Sequence, residues 1–441
     1  MRDYEELLRR VLGLVGEERR VEIEAEVERR VAEDPRLTRL GALYIVAGEL
    51  GLFEGLKQSS STVALSKLVG GLSSVNIEAR VIGLSKPRRE PPAIYLRLGD
   101  SSGVVDAVAW GAAVGRLEAL GVAVGNAIYV RGAYTRERPD GSVEVHLGEQ
   151  AEVSEAGPGQ PPLEQFFAEL PEVFEARGAV DLRAAVLGLS DERSVSVKGE
   201  AVGVKDLLLG LRGVKAEMSL WREQVGLLDE SAVGKIVYVA GAKWSSGGTL
   251  TTSIRSSIYI PEREAHEPIL LKIERELPQK GMLLGVTRES VEKVYSEGLR
   301  PGQLVLVRRY RYMRAGRSWA LVPLEYESTG LEGEVRPKLM RVGGLRVGMV
   351  DASVEGEVAS KSPTTRLDTR RGEIDFSSFW LRDESGSIYC KAWGGAVKMI
   401  EELREGERIS LHFVRVVSNP WGEREIYVGE ESFIASSEEP T

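Results

Sequence analysis

The sequence predicts a mainly β protein, in which small barrels follow one another along the chain after a short helical module. Two observations lead to this fold class: one segment occurs twice, and alternating apolar residues recur in short pieces separated by turns. The duplicated segment reads Tyr95-LRLGDSSGVVDAVAWGAAV in its first copy and Phe379-WLRDESGSIYCKAWGGAV in its second. A repeat of this length indicates that one structural unit is present at least twice.

The beginning of the chain has a helical pattern over residues 3–53. Leu40, Leu43 and Ala47 recur there at helical spacing. We expect a helical module at 1–57, which either packs only on itself or docks another protein.

The first unit contains five strand-like pieces, with a short helical stretch between the third and the fourth. The strand-like pieces are 75–84, 93–99, 103–110, 126–134 and 142–149, and the helical stretch is 111–120. This order is that of the oligonucleotide/oligosaccharide-binding (OB) fold, a small, partly open barrel.

The middle of the chain contains two degenerate copies of this unit. In residues 194–263, Trp221 falls at the end of the third strand and Trp244 in the hairpin between the fourth and fifth. Residues 267–327 match more weakly, because Val286 stands at the position of the tryptophan.

Two segments of the middle are predicted to be helical. One, Leu163-EQFFAELPEVFEARGAVDLRAAVLGL, would connect the first and second units, and the other, Thr287-RESVEKVYSEG, would lie within the third. A chain of 441 residues has room for several domains. The predicted organisation is a helical module (1–57), OB fold 1 (74–154), a linker and helix (155–192), OB fold 2 (193–263), OB fold 3 (264–328) and OB fold 4 (345–435).

Composition excludes several classes of protein. No run of about 20 apolar residues could span a membrane, and the start of the chain is not a signal peptide. The single cysteine, Cys390, allows no internal disulfide and supplies no zinc-ligand set. Because Cys, Asn and Gln are scarce while Glu and Arg are abundant, we expect a heat-stable protein from the cytoplasm of a thermophile.

The Asp-x-Ser-Gly turn and the strand that ends in Trp-Gly resemble the single-stranded-DNA-binding domains of replication protein A, especially the archaeal large-subunit forms. The resemblance covers most of residues 74–435 and is strongest at the two ends. It implies that one aromatic side chain at the end of the third strand, and another in the hairpin after the fourth, each stack on a base.

Stacking on an aromatic ring suits a single strand, because every base has a π-face and the contact needs no particular sequence. The aromatic side chains that the resemblance assigns to this role are Trp110, Trp221, Trp244, Trp393 and Trp421. The hairpin of the first unit has no aromatic side chain at its tip, and Tyr134 could substitute, with Arg136 and Arg138. The alternative for each tryptophan is a place in a barrel core, and Trp319 and Trp380 are predicted to be such packed strand residues.

Basic side chains beside these platforms would neutralise phosphates. The net charge of −9 argues against indiscriminate binding of polyanions, so a local groove is required. The alternative for each basic run is a solvated surface. The predicted phosphate contacts are Arg80, Lys86, Arg88, Arg131, Lys243, Arg255, Arg308, Arg309, Arg311, Arg314, Lys391 and Arg415.

The sequence contains no evident catalytic motif, and we expect neither catalysis nor a cofactor nor a metal. Asp229 occupies the position where a phosphate-binding loop ending at Lys235 would need glycine. The predicted partner is single-stranded DNA, with smaller replication protein A subunits and replication, repair or recombination proteins as further partners in a nucleoid-associated complex. The alternatives are a multi-barrel RNA-binding protein and a scaffold whose barrels dock proteins.

Overall fold

The fold is described from a computed structural model. The described residues are 2–33, 37–52, 62–157, 159–261, 267–279, 281–330, 333–369 and 372–436. Parts of three predicted segments, 53–57, 262–263 and 264–266, lie outside them.

The described part of the N-terminal module contains three α-helices, in agreement with the helical spacing of its apolar residues. These are α1 (Arg2–Val15), α2 (Arg20–Glu33) and α3 (Arg39–Glu49). Leu8, Val27 and Leu43 are buried between the helices. The hydroxyl of Thr38 accepts the backbone N–H of Gly41 and so caps the start of α3.

Barrel 1 confirms the predicted OB order. Its strands are β1 (Val75–Leu84), β2 (Arg88–Arg89), β3 (Pro92–Asp100), β4 (Gly103–Trp110), β5 (Ala127–Glu137), β6 (Val143–Leu147) and β7 (Glu152–Glu155), and helix α4 (Ala112–Ala119) joins β4 to β5. The order β1-β3-β4-β6-β5 closes because β1 also pairs with β5, and β4 and β6 run parallel. The strands β2 and β7 add to this barrel at β3 and β5.

Barrel 2 begins before residue 193, its predicted start, because much of the segment predicted to be a helix between the first two units forms strands instead. Its strands are β8 (Ala168–Glu169), β9 (Ala179–Leu189), β10 (Arg193–Val197), β11 (Glu200–Leu211), β12 (Val214–Trp221), β13 (Ile236–Trp244), β14 (Leu250–Thr251) and β15 (Ser257–Tyr259). The barrel closes through β9, β11, β12, β14 and β13. In β9, Val180, Leu182, Ala184 and Val186 point inward with a period of two, although alanine and leucine favour helices.

Barrel 3 also replaces a predicted helix with a strand. Its strands are β16 (Ile269–Glu276), β17 (Met282–Val286), β18 (Val291–Tyr295), β19 (Leu304–Ala315) and β20 (Ser318–Ser328). The sequence of β18 looks helical because Glu292 and Lys293 are good helix formers, but both side chains are buried in contacts with other elements. Trp319 is 1% exposed, as predicted for a packed residue. A parallel β-bridge between Tyr312 on β19 and Gly188 on β9 joins the sheets of barrels 2 and 3.

Barrel 4 repeats the order of barrel 1. Its strands are β21 (Ala352–Lys361), β22 (Thr365–Thr369), β23 (Gly372–Asp383), β24 (Gly386–Trp393), β25 (Arg408–Ser418), β26 (Arg424–Val428) and β27 (Phe433–Ser436), and helix α5 (Val397–Glu401) follows β24. The strand β21 pairs with both β23 and β25, and β24 runs parallel to β26. Cys390 is fully buried in this core, and burial raises the pKa of its thiol.

The five strands that close each barrel are called its main strands. In every barrel a glycine precedes the fourth main strand (β5, β13, β19 or β25) and hydrogen-bonds to the first (β1, β9, β16 or β21). Gly125, Gly234, Gly302 and Gly406 each donate the backbone N–H to a first-strand carbonyl at 2.8 Å, and each has a positive φ. This shared contact identifies barrel 3 as a copy of the same unit despite its divergent sequence.

The Trp-Gly pair of the repeated segment marks the turn that leaves the third main strand. Gly111 after Trp110 has φ +60°, and Gly394 after Trp393 has φ +61°. In barrel 2 the same turn survives at Arg222, with φ 56°. A residue without Cβ is favoured there because this backbone region is costly for other residues.

A buried histidine makes the stability of barrel 4 depend on pH. His412 lies between the hydroxyls of Ser353 and Ser410, at 3.1 and 3.0 Å, and its pKa is lowered from 6.5 to about 4 by burial and then by the charge of Arg275. Between these pH values the imidazole of His412 is protonated in the unfolded chain and neutral in the folded chain. The contribution of His412 to the free energy of unfolding is therefore fully present above pH 6.5 and is lost as the pH falls toward 4.

We expect this effect to amount to about 3 kcal/mol, since one pKa unit corresponds to about 1.4 kcal/mol. His412→Gln should remove it, so that urea unfolding at about pH 7 and about pH 5 differs less in the variant than in the wild type. An unchanged difference between the two pH values would refute the role of His412.

Candidate nucleic-acid interface

The outer face of barrel 4 carries two pairs of aromatic rings. Trp393 on β24 faces Phe376 on β23, with ring centroids 4.5 Å apart, and Tyr389 faces Trp380 at 5.5 Å. These side chains point outward because the alternate residues of the same strands fill the core. Trp393 and Tyr389 are four residues apart, so the two pairs lie roughly 13 Å apart along the strand.

Trp380 was predicted to be packed, and this prediction is wrong. The side chain is 45% exposed because Leu381, and not Trp380, points into the barrel. The alternation of β23 contained this information, since Phe379 and Leu381 occupy the inward positions on either side of it.

Trp421 stands at the tip of the hairpin between β25 and β26 and is 83% exposed. The side-chain oxygen of Asn419 accepts the backbone N–H groups of Trp421, at 3.0 Å, and Glu423, at 2.8 Å. The hairpin backbone is therefore held in place while the indole ring remains open to solvent.

The corresponding face of barrel 1 has one open tryptophan and a stacked pair. Trp110 is 37% exposed and lies against Gly148, where a Cβ would come within 3.0 Å of its ring. Tyr134 stacks on His146 at 4.9 Å, and the guanidinium of Arg136 lies 5.3 Å from the tyrosine ring. The sequence analysis missed His146, although its strand position places it directly beside Tyr134.

Barrel 2 covers the other half of this face. Arg255 forms an ion pair with Glu144 and lies 4.6 Å from the ring of Tyr95. Beside it, Arg97 bonds to Asp106 and to Asp181 of barrel 2, each at 2.5 Å. Among the described side chains of this face, Trp110 stays exposed and Tyr134 half-buried outside the part that barrel 2 covers.

The equivalent face of barrel 2 is buried between barrels 3 and 4. Lys215 on β12 bonds to Glu292 of barrel 3 at 2.6 Å. Two positions further, the carboxylate of Glu217 accepts two hydrogen bonds from Arg415 of barrel 4, at 2.7 and 2.8 Å. It also accepts one from Arg314, at 2.5 Å, and one from the indole N–H of Trp319, at 2.8 Å, both in barrel 3. Neither side chain is available to a ligand.

The charge of Glu217 persists in this buried place. Burial alone would raise the pKa of its carboxyl, but the guanidinium groups of Arg415 and Arg314 and the Trp319 N–H outweigh burial and hold that pKa below its usual range. A buried carboxylate with charged partners of this kind fixes how the three barrels meet.

Barrel 3 buries its equivalent face in the same way. Leu284, Val286 and Val291 on β17 and β18 pack against Phe413 of barrel 4 and Val335. The two middle barrels therefore use this face as an interface, whereas barrel 1 gives up only the part around Tyr95 and Arg97.

These interfaces overturn the role predicted for Trp244. Its ring stacks on Phe174 at 5.4 Å, its indole N–H donates to the carbonyl of Val173 at 2.9 Å, and it touches Gly348. Trp244 is thus a packing residue at the edge of barrel 2. Trp221 is half-buried, and its indole nitrogen is buried without an acceptor among the described residues.

Four arginines predicted to contact phosphates have another role in the structure, because their guanidinium groups donate to acceptors within the protein. Arg80 donates to the carbonyls of Gly125, Gln160 and Pro161 and holds the linker on barrel 1. Arg255 is held by Glu144, and both Arg314 and Arg415 by Glu217. The carboxylates of Glu144 and Glu217 are themselves buried, so the departure of Arg255, Arg314 or Arg415 would take a charged partner from a buried anion.

The remaining predicted cations are at the surface or on the aromatic face. Lys391 forms an ion pair with Glu425 between the two aromatic pairs of barrel 4, and Arg131 pairs with Glu152. The Arg131–Glu152 pair is exposed and such pairs are worth little, so Arg131 can exchange its carboxylate for a phosphate, whereas Glu425 is buried and the Lys391 pair is partly buried. Arg308, Arg309 and Arg311 pair with Glu327, Glu325 and Glu230, whereas Lys86 and Lys243 are exposed and the side chain of Arg88 lies outside the described residues.

The described part of the chain contains no group of His, Cys, Asp and Glu side chains that could hold a metal ion. Among the same residues, no helix has the length and apolar character needed to cross a membrane.

No family model and no curated protein matches the chain. Among solved structures it is similar to a replication protein A heterotrimer bound to ssDNA (10% identity over 85% of this chain and 96% of that chain, TM-score 0.36). It is also similar to the second OB-fold domain of replication protein A from Methanococcus maripaludis (21% identity, 23% and 99% covered, TM-score 0.20) and to a murine DNA-binding protein bound with dsDNA (8% identity, 44% and 97% covered, TM-score 0.29). The strand order of the barrels, described above, makes this chain a tandem OB-fold protein.

Proposed function

We propose that this chain is a single-stranded-DNA-binding protein of the replication protein A type, which coats and protects single strands during replication, repair and recombination. One observation carries the proposal. Barrels 1 and 4 leave aromatic rings open on the face that barrels 2 and 3 bury in interfaces.

The chemistry of these open faces suits a flexible strand. Trp110 and Trp380 are exposed and Trp393 is half-buried beside Phe376; such rings offer flat apolar surfaces to unpaired bases, which a duplex hides within its stack. Lys391, between the two aromatic pairs of barrel 4, lies where a phosphate would pass. Neither contact requires catalysis or a cofactor, and the N-terminal helices remain available for smaller subunits or for replication and repair proteins.

Titration of a fluorescent oligo-dT with the full chain tests the proposal through anisotropy. We expect saturable binding that weakens as salt is raised, since neutralised phosphates release counterions, with a slope of about −0.7 per phosphate contact for a single strand. Absence of binding at low salt would overturn the proposal. RNA of the same length in place of DNA separates this function from RNA binding.

A further inference from the structure

The hairpin of barrel 3 reaches the aromatic face of barrel 4. The tip between β19 and β20, at Gly316 and Arg317, is held there by main-chain contacts: the N–H of Arg317 donates to the carboxylate of Glu431 at 3.0 Å, and its carbonyl accepts Arg415 at 2.6 Å. The position of Arg317 therefore depends on its backbone and not on its side chain.

The side chain of Arg317 is exposed and extends toward barrel 4. Its Nη1 lies 3.4 Å from the hydroxyl of Tyr427, and no carboxylate among the described residues forms an ion pair with it. In this respect it differs from Arg314 and Arg415 nearby, which are both bound to Glu217.

Tyr427 places this guanidinium beside the open rings. On β26, Tyr427 is the partner of Lys391 on β24, and Lys391 lies between Trp393 and Tyr389 on the same face. Neighbouring strands are about 4.8 Å apart, so the charge of Arg317 lies beyond one edge of the two aromatic pairs.

A small cleft opens at this junction. Its lining includes Arg317, Ser318, Tyr427 and the acidic residues Asp351 and Glu431. Burial raises the pKa of Asp351, and Glu431 is engaged by the backbone of the hairpin. Arg317 is exposed, whereas the other charged residues of the lining, Asp351, Arg415 and Glu431, are buried or half-buried.

We propose that Arg317 and the hydroxyl of Tyr427 form a binding site for a phosphodiester group of the single strand whose bases stack on barrel 4. The site is composite, since barrel 3 supplies the cation and barrel 4 supplies the platforms. A planar guanidinium can bond two phosphate oxygens at once, and the fixed hairpin reduces the ordering that binding requires. The inference rests on the proposed function and adds to it a residue from a barrel whose own face is closed.

Arg317→Gln tests this inference in the full chain, with an oligo-dT of about 30 nucleotides, longer than the roughly 4–16 that one OB fold covers. The fold should be preserved because the contacts that hold the hairpin are made by the backbone of this residue. We expect affinity at low salt to fall about tenfold, as for loss of a charged hydrogen bond, and the salt slope to decrease by about 0.7. Tyr427→Phe should give a smaller loss with an unchanged salt slope, since it removes no charge.

Arg336→Gln is the matched control, because Arg336 is an exposed arginine between barrels 3 and 4 whose partner is Glu334. It removes the same charge and should leave the salt slope unchanged. If the wild type binds and Arg317→Gln behaves like Arg336→Gln, this inference is overturned while the proposed function stands. If the wild type itself does not bind, the proposed function fails.

Discussion

Replacing Trp393 and Trp421 together with alanine should weaken binding of a long oligo-dT by about 2–6 kcal/mol, because each stacked base contributes roughly 1–3 kcal/mol. Trp393 carries one platform on the strands, and Trp421 carries another at the hairpin tip, where it is 83% exposed. The loss is smaller if the rings of barrel 1 compensate. Fluorescence anisotropy measures the affinity, and circular dichroism checks that the variant is folded.

Tyr44→Ala is a suitable control, since this aromatic residue is also exposed but lies on α3 of the helical module and not on a barrel strand. It should leave the affinity unchanged. A folded Trp393/Trp421 double variant with wild-type affinity would show that barrel 4 binds something other than the strand, such as another protein.

Glu217→Gln should destabilise the unit formed by barrels 2, 3 and 4 by about 3–5 kcal/mol, the typical cost of removing one partner from a buried ion pair. The change takes the carboxylate from the partly buried guanidinium groups of Arg415 and Arg314. Urea denaturation followed by circular dichroism measures the loss.

Glu327→Gln provides the comparison for this effect. Glu327 pairs with Arg308 at the surface, where both side chains are more than half exposed, so the loss should be at most about 1 kcal/mol. Equal small losses in the two variants would mean that the Glu217 network does not hold the barrels together.

The sequence predicted the barrels best where local patterns determine the structure. The Trp-Gly turns at Trp110 and Trp393 follow from a few neighbouring residues. The predicted helices at β9 and β18 failed for a physical reason, since tertiary contacts outweighed helix propensity.

The surfaces between barrels could not be predicted in this way. Arg415 and Glu217 are 198 residues apart, and nothing in either local sequence shows that they meet. Separations of 71 and 97 residues likewise hid the partners of Trp244 and Arg314, so that both side chains looked available for DNA. Strand alternation could have found Trp380, because it requires only the inward positions of its two neighbours.

The central claim is that the open faces of barrels 1 and 4 bind unpaired bases, and competition for a fluorescent oligo-dT tests it most directly. Unlabelled single strands of mixed sequence and the duplex made from them are the two competitors, at equal nucleotide concentration and the same salt. We expect the single strand to displace the probe at a concentration at least about tenfold lower than the duplex, because the duplex offers phosphates but no exposed base faces. Equal displacement by the two competitors would contradict the account.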